Sequence, residues 1–420
     1  MAHLIYLLLA IICCYSLSQS WRERRFSVHD GFVLGGLYFF LIPSLLTLAL
    51  GPIEAEGLPI ASFSGERLDI AVFATACILP LLYFSLLKPS PIDETTQVGI
   101  GKLRFYFLIA AATTIFVFIL SGKSEGKHWA DSSTTDSLTA NLLSVLLLVL
   151  RTYIFSLGMV VLRETRKGVG YLVIYTAIDV FLTGNRIAAL YLAASIIFSR
   201  AYSLKTLALP AALLALPTTL FLSLYPAFRG VLWSEFGGFS GVWDAAIYVF
   251  KNQELKSFDP KFIWYFFEAA NTCVFQHLYD TYGHAIDLLD GATVLVKPLS
   301  LFVPRELWPD KPEGLGIRLG PALLGIDGLS LNSLLLGEFW VNFGWAAPLG
   351  IVATMTLAYI AYTYTKILQR KDLVCFGFLL GFASWRHEFN YFVFSTLAGC
   401  ALIWILDPIS AHFDDRAEVQ

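Results

Sequence analysis

Residues 1–25 read MAHLIYLLLAIICCYSLSQSWRERR, an apolar run closed by Arg22, Arg24 and Arg25. A cleavable leader would carry its positive charge before the apolar run; here the charge follows it. The segment therefore predicts a first membrane-spanning helix whose N-terminus lies outside and whose Arg-rich end stays in the cytoplasm. That one assignment fixes the sidedness of every later segment.

Working outward, a span needs about 20 mostly apolar residues. Segments that qualify, or come close, are 3–19, 30–50, 68–87, 103–121, 139–162, 169–183, 187–202, 206–225, 338–366, 373–386 and 391–407. Alternating sides from an external N-terminus gives internal connections at Arg22–Arg25, Lys88–Arg104, Arg163–Lys167, Arg200–Lys205 and Lys366–Lys371, and each carries Lys or Arg. The external turns at 51–67, 122–138, 184–186 and 387–390 are poorer in cations, as the positive-inside rule requires. The expected fold is an all-α polytopic membrane protein of about eleven transmembrane helices. It divides into 1–225 (spans one to eight), 226–337 (one large outer loop), 338–407 (spans nine to eleven) and an internal tail from 408 to 420.

Composition agrees. The chain has 420 residues, 57% of them hydrophobic and only 15% charged, and its mean hydropathy is +0.67. A soluble domain carries about 25% charged residues. A net charge of −3, with basic residues scattered in short clusters at helix ends, argues against a nucleic-acid partner. The six cysteines form no metal-ligand or redox spacing and read as small apolar residues. No phosphate-binding Gly-rich loop, His-Glu-x-x-His or Asp-x-Asp motif occurs, so neither ATP-driven transport nor metal-dependent hydrolysis is expected, and no cofactor is implied.

A loop of over a hundred residues in a chain of short turns is expected to be functional. Its apolar stretch Lys261–Tyr279 is interrupted by Glu268, Asn271, Gln276 and His277, which predicts a helix packed in the protein or lying at the interface rather than a span. Further on stands Pro304-Arg305-Glu306-Leu307-Trp308-Pro309-Asp310-Lys311-Pro312-Glu313-Gly314-Leu315-Gly316-Ile317-Arg318, read as an ordered, non-helical segment because its prolines remove amide donors. Arg305, Lys311 and Arg318 are candidate anion ligands, since Arg offers bidentate contacts to oxyanions. Exposed ion pairs with Glu306, Asp310 and Glu313 are the plain alternative. Acidic residues outnumber basic ones between Arg229 and Asp327, so any anion site must be local.

Other candidates are single residues. Arg151 sits mid-helix among apolar neighbours and needs a partner; it either locks two helices by pairing with Asp179 or faces substrate. Arg186 follows the tight turn Thr183-Gly184-Asn185 on the outer side, and Arg229 follows the eighth span. His277 could serve as a base or as hydrogen-bonded structure. Glu338, in Gly337-Glu338-Phe339-Trp340-Val341-Asn342-Phe343-Gly344-Trp345, could orient a hydroxyl or cap a helix N-terminus. Arg386-His387-Glu388 forms a further outer polar cluster.

Many short-looped helices, the Gly184-Asn185-Arg186 turn, and Pro304-Arg305-x-x-Trp308-Pro309-Asp310-Lys311-Pro312 ahead of Gly337-Glu338-Phe339-x-x-Asn342-Phe343-Gly344 together resemble the Wzy-type O-antigen and capsule repeat-unit polymerases, relatives of the O-antigen ligases. The resemblance spans the topology of most of the chain, with residue matches near 184–186 and 304–344. It implies a GT-C-like glycosyltransferase of the bacterial inner membrane, independent of metal and nucleotide sugar. Such an enzyme joins undecaprenyl-diphosphate-linked oligosaccharide units on the periplasmic face. It further implies a lipid bilayer, a chain-length regulator and a flippase as partners. Arg186, Arg229 and Arg305 would hold the diphosphate; read from the residues themselves, Arg151, Lys311 and Arg318 are further candidate substrate ligands and His277 and Glu338 candidate catalytic residues. The ligase branch carries a His in its large loop, where this chain reads Leu331-Asn332-Ser333. A flippase or transporter of a lipid-linked or polar substrate, and an O-antigen ligase, are the competing readings.

Overall fold

The structure is a computed structural model, and it describes residues 1–23, 26–55, 58–87, 99–120, 138–183, 187–199, 244, 247–248, 263–264, 267–300, 303, 307–310, 312–325, 331–367 and 370–414. The expected span at 206–225, and the candidates Arg186, Arg229, Arg305 and Lys311, lie outside the described residues.

The described chain is helical, with no strand beyond isolated bridges such as Ile53 to Phe63. Its principal helices are α1 (Ala2–Glu23), α2 (Val28–Gly36), α3 (Ile42–Leu50), α4 (Leu68–Leu86), α5 (Ile100–Leu120), α6 (Leu138–Glu164), α7 (Val169–Thr183) and α8 (Ile187–Ser199). After the loop's first part come α9 (Ala270–Thr281), α10 (Lys297–Ser300), α11 (Leu315–Leu324), α12 (Leu334–Phe343), α13 (Ala347–Ile367), α14 (Lys371–Ala383) and α15 (Phe389–Asp414). Among the described residues seven segments are long and apolar enough to cross a membrane: Ala2–Glu23, Val28–Leu50, Leu68–Leu86, Ile100–Ile119, Leu146–Arg163, Leu334–Thr363 and Phe389–Ser410. These make the chain a multi-pass membrane protein. The described parts of the expected spans at 169–183, 187–202 and 373–386 are helices too, but over the described residues α7, α8 and α14 have 15, 13 and 13 residues. At 1.5 Å per residue each is shorter than a hydrocarbon core of about 30 Å.

The chain divides into two compact units. The first comprises Met1–Gln97 and Phe267–Leu402. In it α2 lies against α14 and α4, while α4 also packs on α1 and α13. The α2–α14 contact is built on glycine. A β-carbon on Gly31 would strike the carbonyl of Phe378, one on Gly381 would strike the carbonyl of Val28, and Gly35 faces the Trp385 ring. Gly31/Gly35 and Gly377/Gly381 are each four apart, so small residues line both helices and the backbones close up. Trp385 is fully buried there and donates its indole N–H to Phe32 O at 2.8 Å. The second unit comprises Val98–Phe266 and Ile403–Gln420. Its α5 packs on α6 and α7, and α8 on α6 and α7. Lys102 pairs with Asp407 at 2.8 Å, tying the end of α15 to the start of α5.

Two departures from the expected helices shape the site. The segment expected as one span from 338 to 366 is broken at Gly344, whose φ is +53°. A β-carbon on Gly350 would sit 3.1 Å from the Phe339 ring. In a straight helix those residues are about 16 Å apart along the axis, so α12 folds sharply onto α13. The uninterrupted helix is α13, with 21 residues, about 32 Å long. Second, the segment expected to be non-helical through Arg318 is helical from Leu315. No proline lies between Pro312 and Pro321, so Leu315–Gly320 keeps every amide, and the helix starts after Gly314.

Candidate functional site

The site grows from the folded-back limb α12. Glu338 lies on it, 1% exposed, amid buried Leu335, Leu336, Phe339 and Val341. The limb is held from one side by α9, the described part of the interrupted apolar stretch, which is packed within the protein. Tyr279 of α9 stacks on Trp340 with ring centroids 4.3 Å apart. Arg67 lies over the Tyr279 ring at 5.4 Å and pairs with Asp280 and with Asp69, the latter at 2.6 Å. The hydrogen bonds it donates to the Asp69 carboxylate hold the guanidinium above its ordinary proton affinity. Burial pushes the Tyr279 hydroxyl up to about 12.

From the other side comes a π-helical turn, Ala292–Val296. Asn342 of α12 clasps it: its amide nitrogen donates to Thr293 Oγ1 at 2.6 Å and to Glu338 O at 2.7 Å, and its oxygen accepts the Thr293 N–H at 3.1 Å. Such wide turns concentrate at functional sites, because an inserted residue is tolerated only where something maintains it.

The two acidic residues converge on the N-terminus of α15. Glu338 Oε2 accepts the Phe389 N–H at 2.6 Å, so Glu338 does cap a helix, though not its own. Glu388 precedes that helix and has both oxygens engaged. Oε2 accepts from Lys297 Nζ at 3.0 Å and from Asn390 Nδ2 at 3.3 Å, and Oε1 accepts the Gly316 N–H at 2.8 Å. Gly314 lies so close over the Lys297–Glu388 pair that a β-carbon would collide with both side chains. Beside this, Arg386 Nε donates to Glu268 Oε2 at 2.7 Å. Glu338 Oε1 and Asn390 Oδ1 are buried with no hydrogen-bond partner.

Backbone strain gathers at the same place. The described non-glycine residues with positive φ are Glu268 (52°), Asp290 (47°) and Leu334 (58°). Glu268 partners Arg386, Asp290 leads into the turn that carries Thr293, and Leu334 opens α12. Each such residue costs about 1–3 kcal/mol and persists only where its surroundings over-determine it.

No family model, curated protein or solved structure matches the chain. The site must therefore be read on its own geometry.

Of the sequence candidates, the structure puts Glu338 at the centre. His277 is half-buried on α9, and its carbonyl accepts the Thr281 hydroxyl at 2.6 Å. Arg318 is exposed on α11 near Tyr282, whose hydroxyl burial pushes up and that cation pulls down. Arg151 belongs to the second unit, 4% exposed. Its Nε meets Asp179 Oδ2 at 2.6 Å and its terminal nitrogen donates to Asp179 Oδ1 at 2.7 Å. That is the helix-locking Arg–Asp pair weighed from sequence, an ion pair with one hydrogen bond in it. Lys297 and Asn390 carry no sequence signal of their own, and Arg386 and Glu268 were each visible in the sequence but not as a pair. Glu388 was visible only as part of an outer polar cluster.

Proposed function

We propose that this chain is a membrane-embedded glycosyltransferase that polymerises undecaprenyl-diphosphate-linked oligosaccharide repeat units at the periplasmic face of a bacterial inner membrane. The observation that carries the reading is the fastening of the Pro-rich segment to the buried carboxylates. Gly314 and Gly316, directly after Pro312, lie on the Lys297–Glu388 pair, and Glu388 shares the α15 N-terminus with Glu338. The described stretch that follows Pro312 is thereby anchored next to Glu388, and Glu338 on the same helix N-terminus keeps one oxygen without a hydrogen-bond partner. Residues 307–310, including Trp308, are exposed, which suits stacking on a sugar.

The chemistry asked of such an enzyme matches. Breaking a glycosidic bond to a polyprenyl diphosphate requires neutralising the phosphates as they leave, which Arg186, Arg229 and Arg305 would do, assisted by Lys311 and Arg318. Glu338 would hold the acceptor hydroxyl for attack, its free Oε1 accepting the hydroxyl proton. His277 is the alternative base.

Arg186→Ala and Arg305→Ala should abolish chain extension while leaving membrane insertion and expression intact. The measurement is a product ladder from purified protein and defined lipid-linked repeat units. Polymer of wild-type length from both variants would sink the diphosphate clamp. Deletion of the chain separates the classes: single lipid-linked repeats accumulate for a polymerase, long polymer on undecaprenyl for a ligase, and untranslocated units for a flippase.

A further inference from the structure

Four separate parts of the chain are fastened to one short turn, the connection from α14 to α15. Arg386 Nε donates to Glu268 Oε2 at 2.7 Å, just ahead of α9. Glu388 receives Lys297 Nζ, at the start of α10, at 3.0 Å and the Gly316 N–H of α11 at 2.8 Å. The Phe389 N–H reaches Glu338 of α12 at 2.6 Å. The described non-glycine residues with positive φ fall in three of these parts: Glu268 itself, Asp290 ahead of the π-helical turn that ends beside Lys297, and Leu334 at the start of α12. Such strain persists only where the surroundings over-determine it, and the turn is what these parts share.

Within the turn, Glu388 makes the most specific demand. Gly316 is the second residue of α11, so its N–H has no partner inside the helix. Glu388 Oε1 supplies that partner and sets negative charge where a helix N-terminus favours it. The Gly316 carbonyl meanwhile accepts the Leu331 N–H at 3.0 Å, so this residue is held from both sides. Glu388 Oε2 takes Lys297 Nζ and, at 3.3 Å, Asn390 Nδ2. All three neighbours are donors, so both oxygens must accept. A carboxylate meets that demand, and an amide of the same size does not. The packing leaves no slack, since a β-carbon on Gly314 would collide with Lys297 Nζ and both Glu388 oxygens.

We propose that Glu388 is a positioning residue, which acts through Gly316 and Lys297 to hold the Pro-rich segment, with its exposed Trp308, in place for a lipid-linked sugar. The proposal rests on the glycosyltransferase reading. Pro309 and Pro312 stiffen the backbone between Trp308 and Gly314, so fixing Gly316 restricts where the ring stands. Contacts that such a segment makes to substrate exist before the reaction, so their loss raises KM and spares kcat. A merely structural role would reduce the folded fraction instead, lowering kcat and leaving KM alone.

The test takes two readouts on the full chain in lipid nanodiscs. Hydrogen–deuterium exchange, which needs no substrate, follows the Gly316 amide. Glu388→Gln should speed its exchange by about tenfold or more, the effect of losing one hydrogen bond to a charged group, while α2 and α4 keep wild-type protection. Product ladders from defined undecaprenyl-diphosphate-linked repeat units should show KM raised by up to about a hundredfold, the scale on which a displacement of about 1 Å acts, with kcat nearly kept. Adding Lys297→Met removes the competing donor and frees the glutamine oxygen for Gly316, so the double variant should recover slow exchange and low KM. Unchanged exchange in Glu388→Gln, fast exchange with a wild-type KM, a loss confined to kcat, or no recovery in the double variant overturns the proposal. Wild type that makes no polymer would sink the polymerase reading instead, and exchange would still decide whether Glu388 holds the segment.

Discussion

At the scale of single residues, Arg151 and Glu338 show how burial decides what a charge can do. Both interrupt apolar runs, and the sequence left each with a structural and a chemical reading. Arg151 has both of its carboxylate contacts on Asp179, which is fully buried. Removing one partner of such a pair strands the other and costs about 3–5 kcal/mol, whereas an apolar replacement of both is close to neutral. Arg151→Ala should thus lower the midpoint of thermal unfolding in detergent strongly, and Arg151→Leu combined with Asp179→Leu should restore most of it. A double variant as unstable as the single one would mean the arginine has another essential partner. Glu338 lacks this closure, since its Oε1 has no partner. That contrast is why the site is built around Glu338. The carboxylate itself was legible, because a Glu at the head of an apolar run is conspicuous. Its neighbours were not: Lys297 and Glu388 lie about forty and fifty positions away in the chain, and only the fold brings them near.

At the scale of elements, helix existence was legible and helix shape was not. Apolar length announces a helix in lipid, because no other open structure satisfies its backbone there. The bend at Gly344 leaves no trace in hydropathy, since the residues on both sides are equally apolar. Its cause is a backbone angle of +53°, which only glycine adopts without strain. Glycine spacing elsewhere marks close approach, and here the elements make a prediction. Gly381→Leu would drive a side chain into the Val28 carbonyl and Phe32 across the α2–α14 contact. It should destabilise the first unit by at least the about 1–3 kcal/mol typical of overpacking. Gly170, on α7, has nothing within 4 Å of an added β-carbon. Gly170→Ala should be neutral or stabilising by up to about 1 kcal/mol, from helix propensity alone. Thermal unfolding of the two variants side by side checks the pair. Equal destabilisation would mean that glycine matters here for flexibility rather than for contact.

At the scale of the whole molecule, the proposed chemistry depends on which face of the membrane the Pro-rich segment meets. On the proposed function repeat units are joined outside, which requires Trp308 and the anchored Gly314–Gly316 stretch to face outward. The eight spans expected before the loop, counted from the Arg-rich end of α1, would put it on the same side. Each connection expected to be internal carries Lys or Arg, the charge that the positive-inside rule keeps in the cytoplasm. Two exposed residues of the first unit, Glu23 at the end of α1 and Asp310 in the Pro-rich segment, should therefore lie on opposite sides. The exposed Cys14 and Cys400 must first be replaced, because all six cysteines are free and these two are accessible. In that background Asp310→Cys should react with a membrane-impermeant maleimide in intact spheroplasts, and Glu23→Cys only after the membrane is opened. Labelling of Glu23→Cys but not Asp310→Cys in sealed cells would place the Pro-rich segment in the cytoplasm. The aromatic and cationic loop would then face nucleotide-linked sugars rather than lipid-linked ones, and a periplasmic polymerase would be ruled out whatever its buried carboxylates do.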